Sequence, residues 1–164
     1  MSTPDWSNPF DGWDESPHVC ATDVLRGWSR MLGHERPWSD MPRDDLHGLM
    51  RPILSELLNE AHDSDHLARQ RRLVHAAHDH GAFRSAQRLS QAELIAEIEI
   101  ARDALDRALR KTGMGSRAAQ ETLAAIEPEL ELSQRAAMRG WCRGSAGRPI
   151  VSRTWFDRLL EELD

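Results

Sequence analysis

The run Ser90-Gln91-Ala92-Glu93 restricts the folding of this chain more than any other stretch. A serine here can accept a hydrogen bond from the Glu93 N–H while the Glu93 carboxylate reaches back to the Ser90 N–H. This capping box starts a helix. Behind it, Leu94, Ile98, Ala101, Leu105 and Ala108 alternate spacings of four and three, which puts them on one helical stripe. "KTGMGSR" follows as a helix–helix turn, with Gly113 or Gly115 suited to a left-handed C-cap. Ala119, Leu123, Ile126, Leu130, Ser133 and Ala137 then repeat the same spacing. Two such stripes joined by a short turn predict an antiparallel helical hairpin over about residues 90–142. Asp103/Arg107 and Asp106/Arg110 are expected as i,i+4 pairs on its outer face, and Pro128 should bend the second helix.

Upstream, the same reasoning predicts helices only. Ser16-Pro17 suits a helix start, and Val24, Leu25, Trp28, Met31 and Leu32 follow at helical spacing. "GHERPWSDMP" interrupts the pattern. Asp40 and Pro42 can open the next helix, whose stripe runs through Leu46, Leu49, Met50, Ile53, Leu54, Leu57 and Leu58. Pro52 lies inside it and should kink it or mark a late start. Asp63 to Arg88 reads as a third helix with a thin stripe of Leu67, Val74, Ala77 and Gly81, where the small residues invite a close helix neighbour. No segment alternates with period two for long enough to propose a strand. The expected class is all-α: a helical bundle with the long hairpin.

Three parts are expected. Residues 1–16 form an arm rich in Pro, Ser, Asp and Gly, with Trp6, Phe10 and Trp13 among them. Residues 17–143 form the helical domain. "RGSAGRP" breaks the chain, so residues 144–164 form a linker and a short helix carrying Trp155, Phe156, Leu159 and Leu160. The arm has neither the basic region nor the apolar stretch of a secretory signal. No run of about 18 apolar residues is present, which argues against a membrane span. Cys20 and Cys142 are too few and too far apart for a disulfide framework, and two reduced thiols fit a cytoplasmic protein. A net charge of −6 argues against nucleic acid as a partner.

Five histidines crowd the third helix: His62, His66, His75, His78 and His80. His62/His66 are an i,i+4 pair and His75/His78 an i,i+3 pair, so each could chelate. About 14 Å of helix axis separates His66 from His75 at ~1.5 Å per residue. His80 diverges from His78. One helix therefore supplies at most two ligands to any ion. A divalent metal or a haem held by a single histidine is the alternative reading, and protonated imidazoles beside Arg71 and Arg72 would repel one another. Cys142 sits near Arg139 and Arg143, which favour a thiolate. No strand–turn–helix setting for a nucleophile is visible, so a catalytic site is not expected.

His80-Gly81, Arg84, Gln87, Leu89-Ser90, Glu93-Leu94, Glu97 and Arg102 form a pattern. It resembles the N-terminal helical domain of RsbT co-antagonist (stressosome-type) regulators and the related domain ahead of sensor histidine kinases. "MPRDDLHGLMRPILSELL" resembles the helix preceding that motif, and "AAIEPELELSQRAAMRGW" the long helix after it, so the resemblance covers roughly residues 25–141. It implies a non-catalytic sensory or regulatory domain that moves its helices and signals to a protein partner carrying the output. His80, Arg84, Gln87, Glu97 and Arg102 are the candidate ligand- or partner-binding residues. The competing role for His80 is to fix a helix–helix contact by donating to a backbone carbonyl. A homodimer is expected, because Ile95, Ile100 and Met138 add apolar surface beyond one seam. An adaptor docking on a larger assembly through the aromatic arm is a further alternative.

Overall fold

The computed structural model describes residues 19–47 and 49–146, and all regular structure among them is helical. Six α-helices follow in order: α1 (Ala21–Leu32), α2 (Arg43–His47), α3 (Met50–Leu57), α4 (His66–Ala86), α5 (Gln91–Lys111) and α6 (Ser116–Ser145). A single 3-10 turn, Trp38–Asp40, lies between α1 and α2. None of the described helices is long and apolar enough to cross a membrane. The Ser16-Pro17 start, the arm and the C-terminal helix lie outside the described residues.

The capping box forms as the sequence predicts. The Ser90 hydroxyl accepts from the Glu93 N–H at 3.2 Å, and the Ser90 N–H donates to the Glu93 carboxylate at 2.7 Å. At the far end of α5, Gly113 follows the C-cap with φ of +80°, the left-handed backbone that glycine adopts at little cost. The hairpin is antiparallel: Arg110 bonds Ser116 near the turn, Arg102 pairs with Glu127, and Gln91 reaches Cys142 at the open end.

The joint between α4 and α5 is a Schellman motif. Leu89 N–H donates to Arg84 C=O and Arg88 N–H to Ser85 C=O, both at 3.0 Å, with Arg88 at φ +64°. Trp141 of α6 closes this joint by donating its indole N–H to the Leu89 carbonyl at 2.6 Å.

The tightest pairing, however, joins α6 to α4, which run parallel. A Cβ on Gly81 would lie 1.8 Å from the Ala137 carbonyl oxygen, and one on Gly140 would lie 1.9 Å from that of His78. The two backbones touch there. Ala77, Ala136 and Ala137 complete the buried small-residue crossing.

On the other side of α4 and α5 lies a layer made of α1 and α3. Trp28, Leu32, Leu54, Leu94 and Leu105 meet in it, all fully buried. Burial of one such side chain contributes about 1.5–3 kcal/mol.

Several expectations need correction. The helix predicted from Pro42 divides into α2 and α3, and Pro52 is the third residue of α3. Its missing N–H falls in a first turn, where helices have unpaired donors, so the late start prevails over the kink. α4 begins at His66 behind an Asp65 cap that accepts from Ala68 N–H, and not at Asp63. Leu67 is half exposed and outside the core. The break expected at "RGSAGRP" comes later, since α6 continues through Arg143 to Ser145. Of the two pairs expected on α5, Asp106–Arg110 forms at 2.9 Å, but no ion pair joins Asp103 to Arg107 among the described residues. Ile95, Ile100 and Met138 are half-buried in the bundle instead of exposed.

Replacing Gly81 with alanine should cost about 3 kcal/mol by forcing the α4 and α6 backbones apart. In a chain of this size that is a fall of roughly 6–12 °C in Tm. Gly115→Ala, where an added Cβ meets nothing within 4 Å, should shift Tm little. Thermal melts of the two variants check this.

Candidate functional site

Of the five candidate residues, the fold brings four to one place. His80 and Arg84 lie one turn apart on α4, Gln87 is its C-cap, and Glu97 enters from α5 two turns after its cap. Glu97, His80 and Arg84 have no exposed surface. The Glu97 carboxylate accepts at Oε2 from His80 Nε2 at 2.7 Å and from Arg84 Nε at 3.1 Å. A third donor comes from outside the motif: Trp38 Nε1, at 2.6 Å from Oε1. Trp28 Nε1 donates to the backbone carbonyl of the same glutamate at 2.9 Å.

Arg84 carries the network outward. Its guanidinium donates to the carbonyls of Asp45 and Leu46, at 3.0 and 2.9 Å, and to Gln87 Oε1 at 2.7 Å. α2 is one short helix of five residues, so its last carbonyls lack helical donors and need partners from elsewhere. Arg84 supplies them. Its NH1 also faces the Met41 sulfur at 3.7 Å. One carboxylate and one guanidinium thus tie the 3-10 turn and α2 to α4 and α5, and Trp28 adds α1.

Burial pushes the Glu97 carboxyl up, but the hydrogen bond from His80 and the guanidinium of Arg84 outweigh it and hold the group below the ordinary glutamate value. His80 donates through Nε2, while its buried Nδ1 has no hydrogen-bond partner among the described residues. His80 does fix a helix–helix contact, as one of the two sequence readings has it, but through a carboxylate and not a backbone carbonyl. Glu97 is fully buried. Gln87 is partly exposed at the edge of the cluster.

Arg102 is elsewhere. It pairs with Glu127 across the hairpin, its side chain 44% exposed, and belongs to the α5–α6 contact. The other histidines also separate. His62 lies in the turn before α4 with φ of +50°, not on the helix with His66. His66 faces Glu129 at 4.0 Å. His75 is exposed, whereas His78 is buried, and burial lowers its pKa. No three His, Cys, Asp or Glu side chains among the described residues are placed to hold one metal ion. Cys20 and Cys142 are both free thiols.

Trp28 and Trp38 escaped the sequence reading of the site. The available signal was chemical: a buried indole N–H needs an acceptor, and Trp38 stands in a break between helices where an apolar stripe does not explain it. Compared with family models, curated proteins and solved structures, the chain matches none. The resemblance to stressosome-type domains therefore stands on the motif alone.

The lowered Glu97 value has a consequence for acid stability. Because the folded group binds its proton less readily than the unfolded one, its stabilisation is complete above the ordinary value of 4.5 and is lost as pH falls through the folded value. Urea unfolding from pH 7 to pH 3 should show this as a steep loss beginning below about pH 4.5. Glu97→Gln should be less stable at pH 7 and shallower over that acid range.

Proposed function

We propose that this chain is a non-catalytic, cytoplasmic sensory or regulatory domain, like those of bacterial stressosome regulators and of the modules ahead of histidine kinases. It passes a rearrangement of its helices to a protein partner that carries the output. The observation that supports this reading is the convergence of His80, Arg84, Gln87 and Glu97, the heart of the resembling motif, on one buried ionic cluster.

The cluster divides the molecule into two mechanical parts. α4 and α6 are locked backbone to backbone, and α5 is held to them by the Trp141 closure and the Arg102–Glu127 pair. The α1–α3 layer is attached by apolar packing and by directional bonds to Glu97 and Arg84. Hydrogen-bonded networks of this kind have discrete alternatives, so a stimulus reaching α1–α3 can select between two settings of that layer. The α5–α6 hairpin then carries the change outward.

In this reading the protein works as a homodimer. A shallow depression on α6, lined by Glu131, Gln134, Arg135, Met138 and Arg139, offers a face for the second copy. Light scattering on size exclusion should return twice the 18.6 kDa chain mass. A monomer mass at every concentration would contradict the transmission mechanism. The purified protein should also show no Soret band and no stoichiometric metal; either would replace this reading with a haem- or metal-binding one.

A further inference from the structure

A cleft of about 530 Å3 lies between α1 and α5. The two helices run antiparallel along it: Gly27 faces Ala104, and Trp28, the next residue, donates to the Glu97 carbonyl. The walls are thus joined by a directional bond as well as by packing. Both walls are basic. Arg26 and Arg30 stand one turn apart on α1, and Arg107 and Lys111 one turn apart on α5. Asp23 is the one acid lining the cleft, and it pairs with Arg26 at 3.5 Å. No ion pair engages Arg30, Arg107 or Lys111 among the described residues. Met31, Ala104 and Ala108 form an apolar floor. A Cβ on Gly27 would meet that floor 3.9 Å from the Ala104 Cβ, so the missing side chain leaves the cleft open.

We infer that this cleft binds a nucleoside polyphosphate, with the phosphate chain between the two cation pairs and the base on the apolar floor. A basic cleft on a chain of net charge −6 is a local reversal of sign, and it concentrates anions. Guanidinium groups present their N–H donors in a fork that matches phosphate oxygens. Each cation pair covers about 6 Å of its helix at ~1.5 Å per residue. A lone carboxylate or orthophosphate is satisfied by one such pair. A chain of phosphates engages both pairs at once.

The floor narrows the class further. Two alanines and a methionine make a short, shallow apolar surface, which suits a planar ring and not a long acyl chain. The Met31 thioether adds a favourable contact to an aromatic base. A cleft of this volume lies within the ~300–1,000 Å3 range of small-molecule sites. A nucleic-acid duplex fits poorly, because its charge repeats along its whole length, whereas the cations here span a single turn on each helix. Exposed cations bind phosphate weakly one by one, so the affinity comes from several acting on one chain. The inference does not depend on the sensory reading.

The test is isothermal titration calorimetry of the full chain with adenosine triphosphate, at pH 7 and low salt without magnesium. One nucleotide should bind per chain, about tenfold more tightly than inorganic triphosphate, because only the nucleotide covers the floor. Arg30→Glu/Arg107→Glu should weaken nucleotide binding at least about tenfold. Arg43→Glu/Arg71→Glu changes the net charge equally at exposed positions outside the cleft, and should leave the affinity within about twofold. Gly27→Leu fills the floor and should weaken the nucleotide while leaving inorganic triphosphate unchanged. Thermal melts confirm that each variant is folded, and Gly27→Leu tests the site without altering a charge. No binding at millimolar nucleotide would overturn the inference. So would equal losses in the two charge-reversed chains, or inorganic triphosphate binding as tightly as the nucleotide. Displacement of the nucleotide by a short DNA duplex of higher affinity would reassign the cleft to nucleic acid and overturn it as well.

Discussion

The Glu97 carboxylate is the interaction on which the rest of this structure depends. An ionised carboxylate in a protein interior is tolerated only with a counter-charge and enough donors to replace its water. Here a guanidinium, an imidazole and an indole provide them. Each donor comes from a segment that must be in its native place to reach the acid. The cost of burying the charge is therefore recovered only when α4, α5 and the 3-10 turn are all assembled. The ion cluster specifies the arrangement more than it adds net stability, because a buried pair is worth little over well-packed apolar groups while a broken pair is costly.

A second constraint complements the first. At the α4–α6 crossing, Gly81 and Gly140 let backbones meet where any side chain would clash. One side of α4 is thus fixed by shape and an adjoining side by charge. The periodic core of Trp28, Leu54, Leu94 and Leu105 fills the space between, but apolar packing alone tolerates sliding and repacking. The layer of α1 and α2 is held by directional bonds, and α6 by a backbone contact that leaves no room for a side chain.

Much of this was legible in the sequence, for local reasons. The Ser90 cap, the Gly113 turn and the four-three stripes depend on nearest neighbours, and they form as read. Ala77 and Gly81 announced a close helix, but not which one: stripe spacing made α5 the natural partner of α6, whereas the backbone contact goes to α4. The sequence places His80, Arg84, Gln87 and Glu97 on facing helices near one joint. It does not say that Glu97 is buried, because a glutamate on a helix is usually solvated and its donors Trp28 and Trp38 lie 69 and 59 residues away. The histidine cluster misled for the converse reason. Closeness in sequence implied convergence, but a turn at His62 and the burial of His78 beside an exposed His75 disperse it. Arg102 kept step with the motif in sequence and faces another helix in space.

A double-mutant cycle between Arg84 and Glu97 tests the central claim most directly. Arg84→Met and Glu97→Leu should each cost about 3–5 kcal/mol, because each leaves the other charge buried without its partner. The double variant should recover much of that loss, giving a coupling of at least about 1.5 kcal/mol in urea unfolding. Losses that simply add, within about 0.5 kcal/mol, would show that the two groups do not act as one buried pair and would contradict the account.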